Sequence, residues 1–348
     1  MRRAGAGICL ILGMSLGGFS GVLSARDDIE TESSGSAKNP GAVVSIFEER
    51  SVLGVGGKFT IEPSFTYSHS STTLVAVEGF TIIPAVVVGL INVSQAQRDT
   101  LVSALTFRYA LSNRFQASLK VPYVQTEETV RERQAFEGAP VDIFNNSSGK
   151  GLGDVEGALQ LQFNVESPPF FTGSLRIKSR SGKSPFEIER RELTDPEGNN
   201  VGFVFAEQPT GSGFRALQPG LSMVYPSDPA VLYWSMSYLW SMERDLGMVN
   251  GGTIDPGDAL GFSFGIGFAV NEQTSFSLGY DHSIVGRTRV ELNPSKLDAE
   301  FSRLQIGSFL VGMNQALGKS SHLNMSLGIG VTELAQDLQL TFRVPFTI

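Results

Sequence analysis

The feature that most constrains this chain is a period-two alternation of apolar and polar residues, recurring in long segments from Lys58 to Ile348. Successive side chains on a strand point to opposite faces, so each segment carries one apolar and one polar face. In Lys58 to His69, Phe59, Ile61, Pro63, Phe65 and Tyr67 share one face, and Lys58, Thr60, Glu62, Ser64, Thr66 and Ser68 share the other. Arg114 to Gln125 sets Phe115, Leu119 and Tyr123 against Gln116, Ser118 and Lys120. Leu152 to Asn164 sets Val155, Leu159, Leu161 and Phe163 against Asp154, Glu156, Gln160 and Gln162. Ala259 to Val270 sets Leu260, Phe262, Phe264, Ile266 and Phe268 against Ser263, Gly265, Gly267 and Ala269. These runs exceed the roughly 5–6 residues of an ordinary globular strand.

The polar face holds Asp154 with Glu156, and Arg176 with Lys178 and Arg180, while the apolar face carries the large aromatics. A soluble sandwich would put its apolar face into a packed core. A transmembrane barrel turns that face to lipid and its polar face to a wet lumen, and closure satisfies every backbone hydrogen bond. Twelve strands are predicted, near 57–70, 98–111, 114–125, 151–164, 169–181, 213–226, 230–243, 257–271, 273–288, 301–316, 321–333 and 337–347. Short turns at 112–113, 166–168, 227–228, 272 and 318–320 alternate with long loops at 71–97, 126–150, 182–212, 244–256 and 289–300; only 334–336 is short where a long loop is expected. Trp234, Tyr238 and Trp240 share the apolar face of one strand, as an interfacial girdle requires. The fold class is therefore all-β: a closed antiparallel up-and-down transmembrane barrel of about twelve strands.

Composition agrees once both faces are counted: a mean hydropathy of +0.02 averages an apolar and a polar surface. The 24 Phe exclude a disordered chain, and one Cys excludes an internal disulfide. Arg2 and Arg3, the apolar stretch Ala4 to Leu16, and Leu23-Ser24-Ala25 read as a cleaved signal peptide over residues 1–25. Residues 26–53 read as a periplasmic linker in which Gly41 to Leu53 has local helical character and is a candidate plug. Residues 54–348 form the barrel. A net charge of −8 disfavours nucleic-acid binding. The apolar run Gly79 to Val93 is 15 residues interrupted by Pro84, too short to span as a helix. It is expected either to extend the first hairpin at the rim or to act as a lid.

The inward face defines the candidate lumen residues: Lys58, Glu62, Arg108, Lys120, Asp154, Glu156, Arg176, Lys178, Arg180, Asp281, Arg303 and Arg343. The opposite wall uses Ser263, Gly265, Gly267, Ser275, Ser277, Gly279, Asn324, Ser326, Gly328 and Gly330, which leaves room for water or solute. The charges form either a transverse field that orients a polar solute or a self-neutralising cross-strand ladder; the ladder is preferred and implies weak ion selectivity. Pro63 and Pro345, on the first and last strands, each remove a ladder donor, either weakening the closing seam or marking bulges. Asp281-His282-Ser283 is the most inviting catalytic triplet, but adjacent strand residues point to opposite faces, so no catalytic site is assigned. Three scattered His and the single Cys9 offer no metal site, and no cofactor is expected.

The runs "KFTIEPSFTYSHSS", "EGFTIIPAVVVGLINV", "LTFRYALSNRFQASLKVPYV", "GLGDVEGALQLQF", "EQPTGSGF" and "SFSLGYDHSIVG" resemble the outer-membrane barrel family of putative MetA-pathway phenol-degradation transporters. That family is in turn similar to the twelve-stranded exporters of functional amyloid subunits. The resemblance covers Ser45 to the C-terminus. It implies a transporter-like barrel in the Gram-negative outer membrane and transfers no substrate; the even strand count leaves both termini in the periplasm. The expected function is passive passage of small solutes, apolar or aromatic ones among them, through the lumen. The alternatives are a secretion pore for an amyloid-like polypeptide and, more distantly, a barrel-embedded lipid hydrolase. The chain lacks the long heptad-bearing N-terminal segment of the amyloid exporters. Expected partners are outer-membrane lipid, the barrel-assembly machinery and a small solute, with a homo-oligomer left open and no nucleic acid.

Overall fold

A computed structural model describes residues 57–83, 86–135, 141–194, 200–246, 252–292, 299–300, 303–318 and 321–348. The expected signal peptide and the candidate plug lie outside the described residues. In chain order the strands are β1 (Phe59–Ile83), β2 (Val86–Ser112), β3 (Phe115–Ala135), β4 (Val141–Leu152), β5 (Glu156–Gln162), β6 (Phe170–Lys178), β7 (Arg190–Thr194), β8 (Asn200–Phe205), β9 (Ala216–Pro226) and β10 (Ala230–Ser241). They continue as β11 (Arg244–Asp245), β12 (Gly252–Asp255), β13 (Ala259–Ala269), β14 (Thr274–Val285), β15 (Arg289–Leu292), β16 (Ala299–Glu300), β17 (Leu304–Ala316), β18 (His322–Gly330), β19 (Leu338–Arg343) and β20 (Phe346–Thr347).

The wall is one antiparallel sheet whose ends meet, because β1 pairs with β2 on one side and with β19 and β20 on the other. Counting β4 with β5 and β19 with β20 as single staves gives twelve strands. The remaining strands lie in the connections: β7 pairs with β8, and β11, β12, β15 and β16 form a small sheet.

Polarity is inside out relative to a soluble protein. On β13, Phe264 is 51% exposed while its neighbour Ser263 is 1% exposed. On β1, Phe65 is exposed and Glu62 buried; on β10, Met236, Tyr238 and Trp240 are exposed while Ser235, Ser237 and Ser241 are buried. Side chains such as Thr, Ser and Gln reach buried positions because they share the inward face of the closed sheet and pack beside one another on neighbouring strands. The apolar residues have no protein to pack against on the outside, and only lipid hides them from water.

Short connections gather at one end, and the chain supplies their geometry locally. Asn271 accepts from the backbone N–H groups of Gln273 and Thr274, both at 2.8 Å, closing the β13–β14 turn. Asn164 accepts from the Phe171 N–H and donates to the Pro169 carbonyl across the β5–β6 turn.

Two of the expected long loops are strands. β1 and β2 stay paired past the barrel edge to Ile83 and Val86, and β3 pairs with β4 from Tyr123–Leu152 out to Gln134–Val141. Thus the Gly79 to Val93 run belongs to an extended hairpin. The segment Thr126 to Arg133 (TEETVRER) shows why the pattern concealed this: beyond the lipid both faces of a strand are wet, so the ladder persists without an apolar face to announce it.

At the seam the register holds on both sides of the two prolines, with Thr60 opposite Thr347 and Ser64 opposite Arg343. There is accordingly no bulge. Val344 N–H donates to the Pro63 carbonyl at 3.2 Å, and Pro63 has no N–H to return. The seam loses a bond and keeps its alignment.

A lipid-facing charge tests the inverted polarity. Leu278, on β14 and 51% exposed, should cost about 2–4 kcal/mol when replaced by Arg near the bilayer midplane. Urea unfolding of Leu278→Arg from vesicles reads this as a lowered midpoint, and an unchanged midpoint would contradict the lipid-facing assignment.

Candidate functional site

The interior charges occupy consecutive staves. Register places Glu62, Thr106, Lys120, Glu156, Lys178 and Ala216 in one row across β1, β2, β3, β5, β6 and β9, and Thr60, Arg108, Ser118, Ala158, Arg176 and Gln218 in the next. The ion pairs form diagonally between the rows. Arg108 donates to Glu62 through both terminal nitrogens, at 3.1 and 3.0 Å, with both side chains almost wholly buried. Arg176 donates to Glu156 at 3.3 Å and to Gln218, which passes the chain on to Ser237 at 3.0 Å. Directly opposite Glu156 stand Lys120 and Lys178, yet the carboxylate takes Arg176. A planar guanidinium offers several fixed donors to a carboxylate and a second acceptor at once, which a point-charge ammonium does not.

The twelve sequence-predicted lumen residues fall into three groups. Glu62, Arg108, Lys120, Glu156, Arg176, Lys178, Asp281 and Arg343 share the strand parity of the buried face. Lys58, Arg180 and Arg303 lie outside the strands and are exposed. Asp154 sits in the break between β4 and β5, where three residues, 153–155, oppose Val121 and Pro122 of β3. This bulge switches the inward parity and turns Asp154 onto the long connection between β6 and β9.

That connection doubles back against β4 through the Glu207–Phe214 strap (EQPTGSGF), with Gln208 N–H donating to the Ser148 carbonyl and the Thr210 and Gly211 N–H groups to the Lys183 carbonyl. Asp154 accepts from Gly182 N–H at 3.1 Å, Ser212 N–H at 2.8 Å and the Ser212 hydroxyl at 2.7 Å. Gln208 donates to Glu128 and to Ser147 Oγ, Thr210 donates to the Leu152 carbonyl at 2.8 Å, and Glu207 pairs with Lys183. Gly211 crosses Gly182 so closely that a Cβ on either would meet the other's backbone. Arg244, beyond β10, donates to Ser184 Oγ and the Gly213 carbonyl, lies over the Phe186 ring, and pairs with Glu187. Phe186 meets buried Phe214 edge-on at 5.4 Å.

The interior is not uniformly polar. Ala216, Leu239, Ala259 and Val285 form an apolar cluster backed by Leu304 and Ile306 at the looped end, and Val224, Val231 and Tyr233 form another towards the short-turn end. The expected small wall is present, with Ser235 and Ser263 hydroxyls bonded at 2.7 Å. Part of it is filled, because Tyr233 lies over Gly265 and Gly279 where a Cβ would collide with its ring.

Sequence reasoning passed over Gln208, Ser212, Arg244 and Tyr233. The run EQPTGSGF was visible, but no periodicity links it to Asp154 some fifty residues earlier. A second overlooked cluster lies on the outer face at the looped end, where Tyr67 OH donates to Asp99 at 2.6 Å and His69 Nδ1 lies 2.9 Å from the same oxygen. In the Asp281-His282-Ser283 triplet, Asp281 and Ser283 share the inward parity while His282 points outward against Tyr280 and Phe262. Among the described residues no group of three His, Cys, Asp or Glu could hold a metal, and no helix is long and apolar enough to cross a membrane.

No family model matches the chain. Among solved structures it is similar to the COG4313 outer membrane channel from Pseudomonas putida F1, with a TM-score of 0.52, 14% identity, and coverage of 86% of this chain and 97% of that one. It also matches the Ralstonia pickettii toluene transporter TbuX at a TM-score of 0.40, 10% identity, and 84% and 90% coverage. The beta domain of the Bordetella autotransporter BrkA matches at 0.39 and 13%, with 84% and 98% coverage. The first of these establishes a shared outer-membrane barrel fold, which supports the sequence resemblance at the level of fold.

Asp154 is the strap's carboxylate anchor and can be tested alone. Asp154→Ala orphans three donors, each lost bond to a carboxylate being worth about 1.5–3 kcal/mol, and should loosen the strap and the 182–184 segment beside it without opening the wall. Trypsin should then cleave after Lys183 several-fold faster in the vesicle-embedded barrel; equal rates would show that Asp154 does not anchor the strap.

Proposed function

We propose that this protein is an outer-membrane channel that passes small solutes along its polar interior, with the short turns and both chain ends on the periplasmic side. The observation that carries this reading is the inverted polarity: a continuous apolar exterior around an interior lined by Ser, Thr, Gln and charged groups. A barrel needing only to be stable would fill that interior with large side chains. Here one wall is built from Ser and Gly, with Ser277, Gly312, Ser326 and Thr341 in one cross-strand row.

The alternating connection lengths support the orientation, since short periplasmic turns opposite longer extracellular loops are the usual outer-membrane arrangement. Tyr233 favours small solutes over a polypeptide, because its ring lies over Gly265 and Gly279 in cross-section that an extended chain would need. The two interior apolar clusters favour solutes with an aromatic or aliphatic body, to which they offer contact at either end of the path.

Planar-bilayer conductance tests the proposal. The wild-type barrel should show discrete channels, and Ser326→Trp, which fills the small wall, should lower unitary conductance at least about twofold, as expected when a pore-lining residue narrows the bore. Its neighbour Leu327 has the outward parity, and Leu327→Trp should leave conductance unchanged. Absence of channels, or equal effects of the two substitutions, would count against passage through the lumen.

A further inference from the structure

We infer that the solute carries a carboxylate, and that Lys120 and Lys178 are the side chains that receive it. The inference rests on the channel reading and narrows its substrate class to small organic acids with an aromatic or aliphatic body.

The first observation is how the interior carboxylates are committed. Glu62 is held by both terminal nitrogens of Arg108, Glu156 is taken by Arg176, and Asp154 accepts two hydrogen bonds from Ser212 of the strap and one from Gly182 N–H. The ion-pair ladder anticipated from sequence thus exists but is incomplete. Lys120 and Lys178 flank Glu156 on the neighbouring strands, and neither has a carboxylate within ion-pair distance among the described residues. Lys178 donates to the Ser212 hydroxyl at 2.8 Å, which in turn donates to Asp154 at 2.7 Å, so its link to that carboxylate runs through the hydroxyl. Both are half-buried on the inward parity. Strands lie about 4.8 Å apart, so the two lysine stems emerge roughly 10 Å from one another on either side of Glu156, a span that a carboxylate bridges through water or when the flexible stems lean towards each other.

The second observation is what surrounds them. Lys178 stands directly opposite Ala216, a member of the apolar cluster with Leu239, Ala259 and Val285. An amphiphilic acid can therefore leave its charge on the lysines with its body towards that cluster. Further along, Ser222, Ser235, Ser263 and Ser308 share one cross-strand row with the inward Asp281, so a carboxylate there meets neutral donors beside one fixed negative charge and is passed on without being trapped. A neutral hydrocarbon finds no such sequence of partners, since most of the wall would have to be stripped of water to receive it.

The test uses the full-length barrel in planar bilayers under a KCl gradient, with benzoate as the probe and benzyl alcohol as its uncharged counterpart. The reversal potential should show anion preference, and millimolar benzoate should reduce chloride current while benzyl alcohol does not. In Lys120→Gln/Lys178→Gln the preference should disappear and the half-blocking concentration of benzoate should rise about tenfold or more, the scale of one lost charge-assisted contact. Lys120→Arg/Lys178→Arg should retain both properties. Conducting channels without anion preference or benzoate block, or a double Gln variant indistinguishable from wild type, would overturn the inference and leave the channel standing. If no channel conducts, calorimetric titration of benzoate into the detergent-folded barrel separates the two claims. Binding lost in the Gln variant would sustain the carboxylate site while the channel reading falls, and no binding to the wild type would end both.

Discussion

In hydrocarbon, an unpaired backbone N–H or carbonyl has no water to turn to, and each costs several kcal/mol. Everything in this barrel depends on meeting that demand. A sheet meets it only by closing on itself, so β1 must find β19 and β20 as well as β2. Closure then decides polarity, because strand alternation sends one set of side chains to lipid and the other to a shared interior. It also explains why Pro63 and Pro345 are tolerated at the seam: the register on either side is unchanged, so the loss is confined to single bonds.

Outside the lipid the constraint relaxes, and the structure changes character at that boundary. β1 to β4 continue as an extended paired sheet whose residues no longer follow the apolar–polar alternation of the wall. The β6–β9 connection folds back and is held by side-chain hydrogen bonds, with Asp154 and Gln208 as its anchors. The β4–β5 bulge links the two regimes. By adding one residue opposite Val121 and Pro122 it reverses the inward parity and frees Asp154 from the wall, so a local irregularity in the ladder becomes the attachment point of the strap.

Alternation made the barrel legible in sequence because its period is set by the backbone and its faces by lipid and water, both local properties. The strands at 230–241 and 274–285 fall within three residues of the 230–243 and 273–288 that alternation predicts. The β3–β4 extension did not follow from it, since TEETVRER alternates nothing, whereas the apolar run 79–93 left extension of the first hairpin as one of two expectations and β1 and β2 do stay paired there. Parity also placed Glu62, Arg108, Glu156 and Arg176 on one face, but it misread Asp154, whose direction depends on a bulge, and Lys58, Arg180 and Arg303, which lie past the strand ends. Which charge pairs with which was illegible as well. Lys120 and Lys178 are opposite Glu156 in register, and only three-dimensional reach shows Arg176 taking it.

The central claim is that one strand parity faces water inside the wall and the other faces lipid. The most direct measurement is thiol labelling along β18 in vesicle-embedded protein, one substitution at a time, because the only native cysteine is Cys9 near the N-terminus. Asn324→Cys, Ser326→Cys and Gly328→Cys should react with a water-soluble maleimide, whereas Met325→Cys, Leu327→Cys and Ile329→Cys should react only with a lipid-soluble one. A uniform pattern along the strand, or the opposite alternation, would contradict a water-lined barrel.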